Sequence, residues 1–250
     1  MKKLMIAAAV AAGIAGQGFC LESANTVGYT TPGLRENIQL LVATFEDVGS
    51  AGMDIQNIIP LPPDGETATG DGCFDLQTLL STGAMDEQFF YMNPDDGDAV
   101  PEAGWYAMGG VKSTKVFDPG EGFMLYSYYD GASVQFAGEV HLEAIDVPLG
   151  ENIQLQGNIR PMNVSIQKLV PQPPAGETAT GDGCFDLQTL LATGAMDEQF
   201  FYMNPDDGDA VAEAGWYAMG GVKSTKVFAP GEGFMIYSYY DGAALRFTAE

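Results

Sequence analysis

Basic residues, histidine and cysteine are scarce in this chain. Its 250 residues hold 10 Lys plus Arg against 34 Asp plus Glu, one His and three Cys. So few cations argue against sequence-independent binding of nucleic acid or anionic lipid, because both depend on Lys and Arg meeting phosphate. One His and dispersed Cys residues leave little for a His-based catalytic centre or a Cys/His zinc site. Beyond the N-terminus no stretch approaches 18 apolar residues, so no later transmembrane helix is expected. No nucleophile elbow, phosphate loop or dinucleotide fingerprint is present, and Gly70-Asp71-Gly72 lacks a third glycine. Acid pairs such as Glu66 with Asp71, or Asp118 with Glu121, have no spacing that singles them out for glycoside hydrolysis. An enzyme is not expected. What the chain does have is 46% hydrophobic residues, enough for two ordinary domains with real cores.

Lys2 and Lys3 precede an apolar stretch over residues 4–15, followed by Gly16 and Gly18. This order of charged, apolar and small residues predicts a secretory signal peptide over residues 1–20, with cleavage after Ala15, Gly18 or Cys20. Phe19 sits where lipoprotein processing at Cys20 requires a small residue. Removing the leader leaves eight basic residues against 34 acidic ones. A secreted, extracellular or envelope-associated location is expected.

The chain is duplicated. Residues 64–139 align without gaps to 175–250 with 10 differences in 76 positions. Upstream, Glu36-Asn37-Ile38-Gln39-Leu40 recurs as Glu151-Asn152-Ile153-Gln154-Leu155, Ile55-Gln56 as Ile166-Gln167, and Pro62-Pro63 as Pro173-Pro174, the first copy holding four extra residues. The expected units are 25–139 and 140–250. No Pro/Gly/Ser-rich linker separates them, which predicts units packed end to end with little hinge freedom. The near-identity of the copies fits shared function or recent sequence exchange equally.

Turn signals cut each copy into short strand-like segments. Asp130-Gly131, and Asp241-Gly242 in the second copy, read as type I′ hairpin turns, with Gly109-Gly110, Pro119-Gly120 and Ser81-Thr82-Gly83 as further reversals. Seven or eight strands per copy predict an all-β fold of two tandem antiparallel β-sandwich or barrel units. Each unit is expected to carry one short helix, at residues 54–59 and 165–170. There a good N-cap residue, Asp54 or Ser165, starts an i, i+3, i+4 apolar pattern that ends at Pro60 or Pro171.

The run from Ser23 to Tyr29 is followed by an Asn-Ile-Gln-Leu strand and an Ile-Gln-Asn-Ile-Ile-Pro segment. With Pro119-Gly120-Glu121-Gly122-Phe123 leading into residues 134–140, it resembles a family of uncharacterised secreted bacterial β-repeat proteins. The resemblance implies an exported β-rich protein of unknown activity. A covalent or sortase-like surface attachment is not expected.

Three constellations carry candidate chemistry. Asn93, Asp95, Asp96, Asp98 and Glu102, repeated as Asn204, Asp206, Asp207, Asp209 and Glu213, concentrate hard oxygen ligands beside a glycine. They read either as a calcium site or as a solvated acidic loop, and the EF-hand spacing does not fit. Trp105, Tyr126 and Tyr128, with Trp216, Tyr237 and Tyr239, read as core, as a protein interface, or as a platform on which sugar rings stack. Cys73 and Cys184 occupy equivalent positions and read as buried thiols, an inter-repeat bridge or an intermolecular pair. His141 has no duplicated counterpart and reads as structural.

The expectation from sequence is therefore a non-enzymatic exported surface, matrix or envelope protein. It would act as a scaffold or adhesion module through self-association or other surface and matrix proteins, with no transmembrane segment once mature. The alternative is a secreted tandem carbohydrate-binding module, with calcium as its one candidate cofactor.

Overall fold

The computed structural model describes residues 27–48, 52–68, 73–140, 143–179, 184–191 and 193–248. The leader, Asp71 and His141 lie outside the described residues. As expected the chain is all-β, with more and shorter strands than the turn signals predict. The first copy contains β1 (Val27–Thr30), β2 (Asn37–Val42), β3 (Met53–Asp54), β4 (Ile59–Leu61), β5 (Phe74–Leu79), β6 (Met85–Met92), β7 (Gly104–Ala107), β8 (Val111–Lys112), β9 (Val116–Phe117), β10 (Gly122–Ser127) and β11 (Ser133–Glu139). The second repeats the order with β12 (Ile145–Leu149), β13 (Asn152–Gly157), β14 (Val164–Ser165), β15 (Leu169–Gln172), β16 (Phe185–Leu190), β17 (Met196–Met203), β18 (Gly215–Ala218), β19 (Val222–Lys223), β20 (Val227–Phe228), β21 (Gly233–Ser238) and β22 (Ala243–Phe247).

In each copy the strands sort into a six-stranded sheet, a three-stranded sheet and a two-stranded ladder. The large sheet runs β2-β10-β5-β6-β7-β8, the small one β1-β11-β4, and β3 pairs with β9. Among the described residues no sheet closes on itself as a barrel would. The four larger sheets form a propeller-like ring of small blades rather than two clearly separate sandwiches.

Alternation dictates the faces. In β5 Phe74, Leu76 and Thr78 are buried while Asp75, Gln77 and Leu79 are half-buried on the opposite side. Across the sheet Leu125, Leu76 and Phe89 stand opposite one another on the inner face. Each copy has its own buried cluster, in the first built on Phe74, Trp105, Phe117, Phe123 and Phe136. Fully burying a side chain of the phenylalanine kind stabilises by roughly 1.5–3 kcal/mol, so these rings dominate the core.

Two local expectations are corrected. The apolar segments at 54–59 and 165–170 make only single 3-10 turns, Ile55–Asn57 and Ile166–Lys168, capped by Asp54 and Ser165. The prolines that follow, Pro60 and Pro171, already lie in β4 and β15, so the chain is extended before an α-turn completes. Asp130-Gly131 is not a type I′ hairpin turn. Only Gly131 has a positive φ, and β10 and β11 belong to different sheets, so this reversal hands the chain from the large sheet to the small one. Gly109-Gly110 does join a hairpin, with φ of 98° and 79° and Tyr106 opposite Lys112.

The copies are not stacked end to end. Edge strands β2 and β13 meet at a seam, where Val42 N donates to Gly231 O (3.1 Å) and Ile153 N to Ser81 O (3.2 Å). Close approach there requires glycine. A Cβ on Gly233 would lie 2.6 Å from the backbone of Leu40 and Leu41, and one on Gly122 would lie 2.8 Å from that of Leu155. Gly83 beside Ile153 is likewise answered by Gly194 beside Ile38. Such reciprocal contacts are those of an isologous interface, here a pseudo-two-fold within one chain. Val42 crosses the seam to join the second copy's core.

Candidate functional site

The six aromatic candidates divide into three environments. Trp105 and Trp216 are fully buried, their indole N–H groups donating to the carbonyls of Ile58 and Leu169 at 2.6 Å. Gln56 braces Trp105 from both sides: its Oε1 accepts from Trp105 N (3.0 Å), while Nε2 donates to the carbonyls of Trp105 and Ser113 (2.9 Å each). Gln167 does the same around Trp216. The tryptophans therefore present no ring to a sugar. Tyr126 and Tyr237 lie half-buried on the outer face of the large sheets, opposite the tryptophan side. Tyr128 and Tyr239 are exposed beyond the strand ends, each edge-on to the next tyrosine at 5.4 Å. No single platform collects Trp105, Tyr126 and Tyr128.

The acidic loop spends its side chains on its own turn. Pro94–Asp96 is a 3-10 turn whose cap, Asn93, accepts from Asp95 N through its side chain. Asp98 accepts from Asn93 N and Asp96 from Asn93 Nδ2, both at 2.9 Å. Glu102 instead pairs with Lys112 at 2.7 Å, which holds its carboxyl below the ordinary carboxylate range. The second copy matches, with Asn204 tied to Asp206, Asp207 and Asp209, and Glu213 on Lys223 at 2.7 Å. Among the described residues no group of three or more His, Cys, Asp or Glu side chains converges as a metal site requires.

The other candidates have quiet surroundings. Cys73 and Cys184 are half-buried, the sulfur of each 3.6 Å from a tyrosine hydroxyl, Tyr129 or Tyr240. Glu121 accepts from Asp118 N and pairs with Lys115 at 2.7 Å, bonds that close the Pro119-Gly120 turn.

What the sequence reading missed is the row across the outer face. Register places Ile38, Tyr126, Asp75, Phe90, Tyr106 and Lys112 opposite one another on successive strands. In the second copy the row is Ile153, Tyr237, Asp186, Phe201, Tyr217 and Lys223. A carboxylate thus stands between rings. Asp75 Oδ2 faces Gln88 Nε2 and Asp186 Oδ2 faces Gln199 Nε2, both at 3.5 Å, while the Oδ1 of each aspartate is buried without a partner. Burial pushes both carboxyls above the ordinary aspartate range, partly offset by the glutamines. Beside Asp186 a cleft of about 360 Å³ opens toward Met219 at the β18–β19 hairpin. The alternation Phe-Asp-Leu-Gln in β5 was the available signal, since it aims Asp75 away from Phe74 and Leu76.

Two further clefts flank the seam. One, of about 570 Å³, lies between Thr31, Arg35 and Gln39 of the first copy and Ala229, Pro230 and Glu232 of the second. Its counterpart, of about 370 Å³, sets Asp146 and Gln154 against Asp118, Pro119 and Glu121.

Comparison of the chain with protein-family models, curated proteins and solved structures gives no match.

Proposed function

We propose that the mature chain is a non-enzymatic, exported β-repeat protein of the cell surface, matrix or envelope, working as a bivalent scaffold or adhesion module. One observation carries the reading: the seam joins the copies through β2 and β13, so β8 and β19 form edges at the opposite side of each large sheet. These edges are the same surface presented twice. Met108 and Met219 stand exposed at 74% and 75%, Val111 and Val222 at 69% each. Residues 85–117 and 196–228 differ only at Pro101 and Ala212. Two equal edges on one chain raise avidity for a repeated partner without new chemistry. Export rests on the leader at residues 1–20, and the resemblance to secreted β-repeat proteins agrees with it. No helix among the described residues is long and apolar enough to cross a membrane. The carbohydrate-module alternative would have to use Tyr126 and Phe90 on the outer face, because the tryptophans are enclosed.

Agglutination of the producing cells or their matrix tests bivalence. The intact chain is expected to agglutinate, whereas Met219→Asp with Val222→Asp leaves a chain that binds but does not crosslink. Absence of any binding to cells or matrix would end the scaffold reading.

A further inference from the structure

We propose that the outer face of each copy takes a basic side chain of a partner protein, its ammonium or guanidinium group meeting Asp75 or Asp186 and its aliphatic stem lying on neighbouring phenylalanine and methionine walls. The inference rests on the bivalent-module reading and names that partner's chemistry. The cleft beside Asp186 is walled by Phe201, Met203 and Met219, and its polar side chains are those of Asp186, Asp209 and Tyr202. Asp209 Oδ2 already accepts from Asn204 N, whereas Asp186 Oδ1 is buried with no donor. A carboxylate so poorly partnered costs free energy, which a cation seated in the cleft beside it offsets.

Charge selects the donor. Five of the chain's own cations are held by its carboxylates: Lys112 by Glu102, Lys115 by Glu121, Lys223 by Glu213, Lys226 by Glu232 and Arg246 by Asp146. Asp75 and Asp186 have instead a neutral glutamine at the outer limit of hydrogen bonding. With 34 acidic residues the surrounding field draws cations toward the surface. A sugar ring needs several polar partners around its rim, and a wall of Phe and Met does not supply them. A lysine or arginine stem suits such a wall, since its methylenes bury on apolar surface while the charged end reaches the carboxylate. The same row and the same orphaned oxygen occur in both copies, so two equivalent sites follow.

Calorimetric titration of the mature protein with a short lysine- and arginine-containing peptide, a neutral peptide of the same length and a neutral oligosaccharide decides the matter. Wild type is expected to take two basic peptides. Asp75→Asn or Asp186→Asn is expected to take one, and the double variant to bind at least about tenfold more weakly, in line with loss of a charge-assisted hydrogen bond at each site. Asp95→Asn with Asp206→Asn removes the same formal charge from the acidic loops and is expected to leave binding unchanged, and thermal melting confirms that each variant folds. Equal peptide binding by wild type and the Asp75/Asp186 double variant would overturn the proposal, leaving only diffuse attraction to an acidic surface. Oligosaccharide binding that these substitutions abolish, with no peptide binding, would overturn it in favour of a glycan. Agglutination that persists in the double variant would sink this site while leaving the bivalent scaffold intact.

Discussion

The seam and the outer edges have fared differently since the duplication. Across the seam the copies no longer match. Asp118 is replaced by Ala229 in the second copy, Ser81 by Ala192, and the strand Asn-Ile-Gln-Leu-Leu-Val of β2 is Asn-Ile-Gln-Leu-Gln-Gly in β13. The two flanking clefts differ accordingly, about 570 against 370 Å³, one with Arg35 and Lys226 and the other with Asp118 and Asp146. At the outer edges 33 aligned positions carry the single difference of Pro101 and Ala212. A homodimer must place identical residues on both sides of its axis, whereas a fused pair is released from that constraint at the axis. The second copy is thus free to differ where it meets the first, and Val42 filling the second core is one such use. At the β8 and β19 edges the copies remain alike, whereas β11 and β22 differ, with half-buried Gln135 in the first answered by exposed Arg246 in the second.

Substitutions can break this contrast, and the largest effect is expected at the seam. Gly233→Ala drives a Cβ into the backbone of Leu40 and Leu41, which cannot yield as a side-chain tip would. A loss of about 2–3 kcal/mol is expected, roughly 5–10 °C in Tm. Gly109→Ala, in open space at the outer hairpin but with φ of 98°, is expected to cost only about 1 kcal/mol. A larger loss at Gly109 than at Gly233 would reverse the ranking of seam and edge.

The tryptophan braces sharpen the likeness of the copies. Gln56→Ala removes one acceptor and two donor bonds between the 3-10 turn and the β7–β8 region, and Gln167→Ala removes the same set around Trp216. Each is expected to lower stability by about 2 kcal/mol, because a buried amide N–H and the Ser113 or Ser224 carbonyl lose that partner, while the tryptophan carbonyl keeps the backbone N–H of Ser113 or Ser224. Unequal losses, measured by chemical denaturation, would show that the copies support their outer edges differently.

Smaller and opposite in sign is Asp75→Asn or Asp186→Asn. Because burial raises these carboxyls, the folded chain holds their protons more tightly than the unfolded chain, so ionisation opposes folding. The penalty is absent below the ordinary aspartate range and sets in as pH rises through the raised value. Asparagine is therefore expected to stabilise at neutral pH by less than about 1 kcal/mol, solvent screening of a half-exposed group being allowed for, and the gain is expected to vanish in acid. The smallest effect concerns the acidic loops. Their turns are tied by Asn93 and Asn204, so EDTA is expected to leave Tm unchanged; a fall of several degrees would place a structural cation there.

What was legible in the sequence follows the range of the interactions. The all-β class, the Gly109-Gly110 hairpin and the Pro119-Gly120 turn depend on local backbone chemistry and were readable. Strand alternation puts Phe123 and Leu125 on one face of β10 and Met124 and Tyr126 on the other, but which face is enclosed is decided by the packing of the sheets. Long-range pairing was not readable: nothing local says that β10 lies between β2 and β5, or that Asp130-Gly131 changes sheets. The tryptophans illustrate the cost. Their burial depends on Gln56 and Gln167, 49 residues away in each copy, which no spacing rule connects to them. The setting of Asp75 was not readable for a related reason, since the rings beside it come from β6 and β10.

The central claim is that one chain presents the same outer edge twice, and the most direct measurement compares agglutination by two one-edge variants. Met108→Asp with Val111→Asp alters the first copy's edge, and Met219→Asp with Val222→Asp alters the second's. Each pair is expected to abolish crosslinking equally while half the binding capacity remains, and all four substitutions together to abolish binding. Agglutination that survives either pair intact, or capacity carried wholly by one copy, would contradict the account.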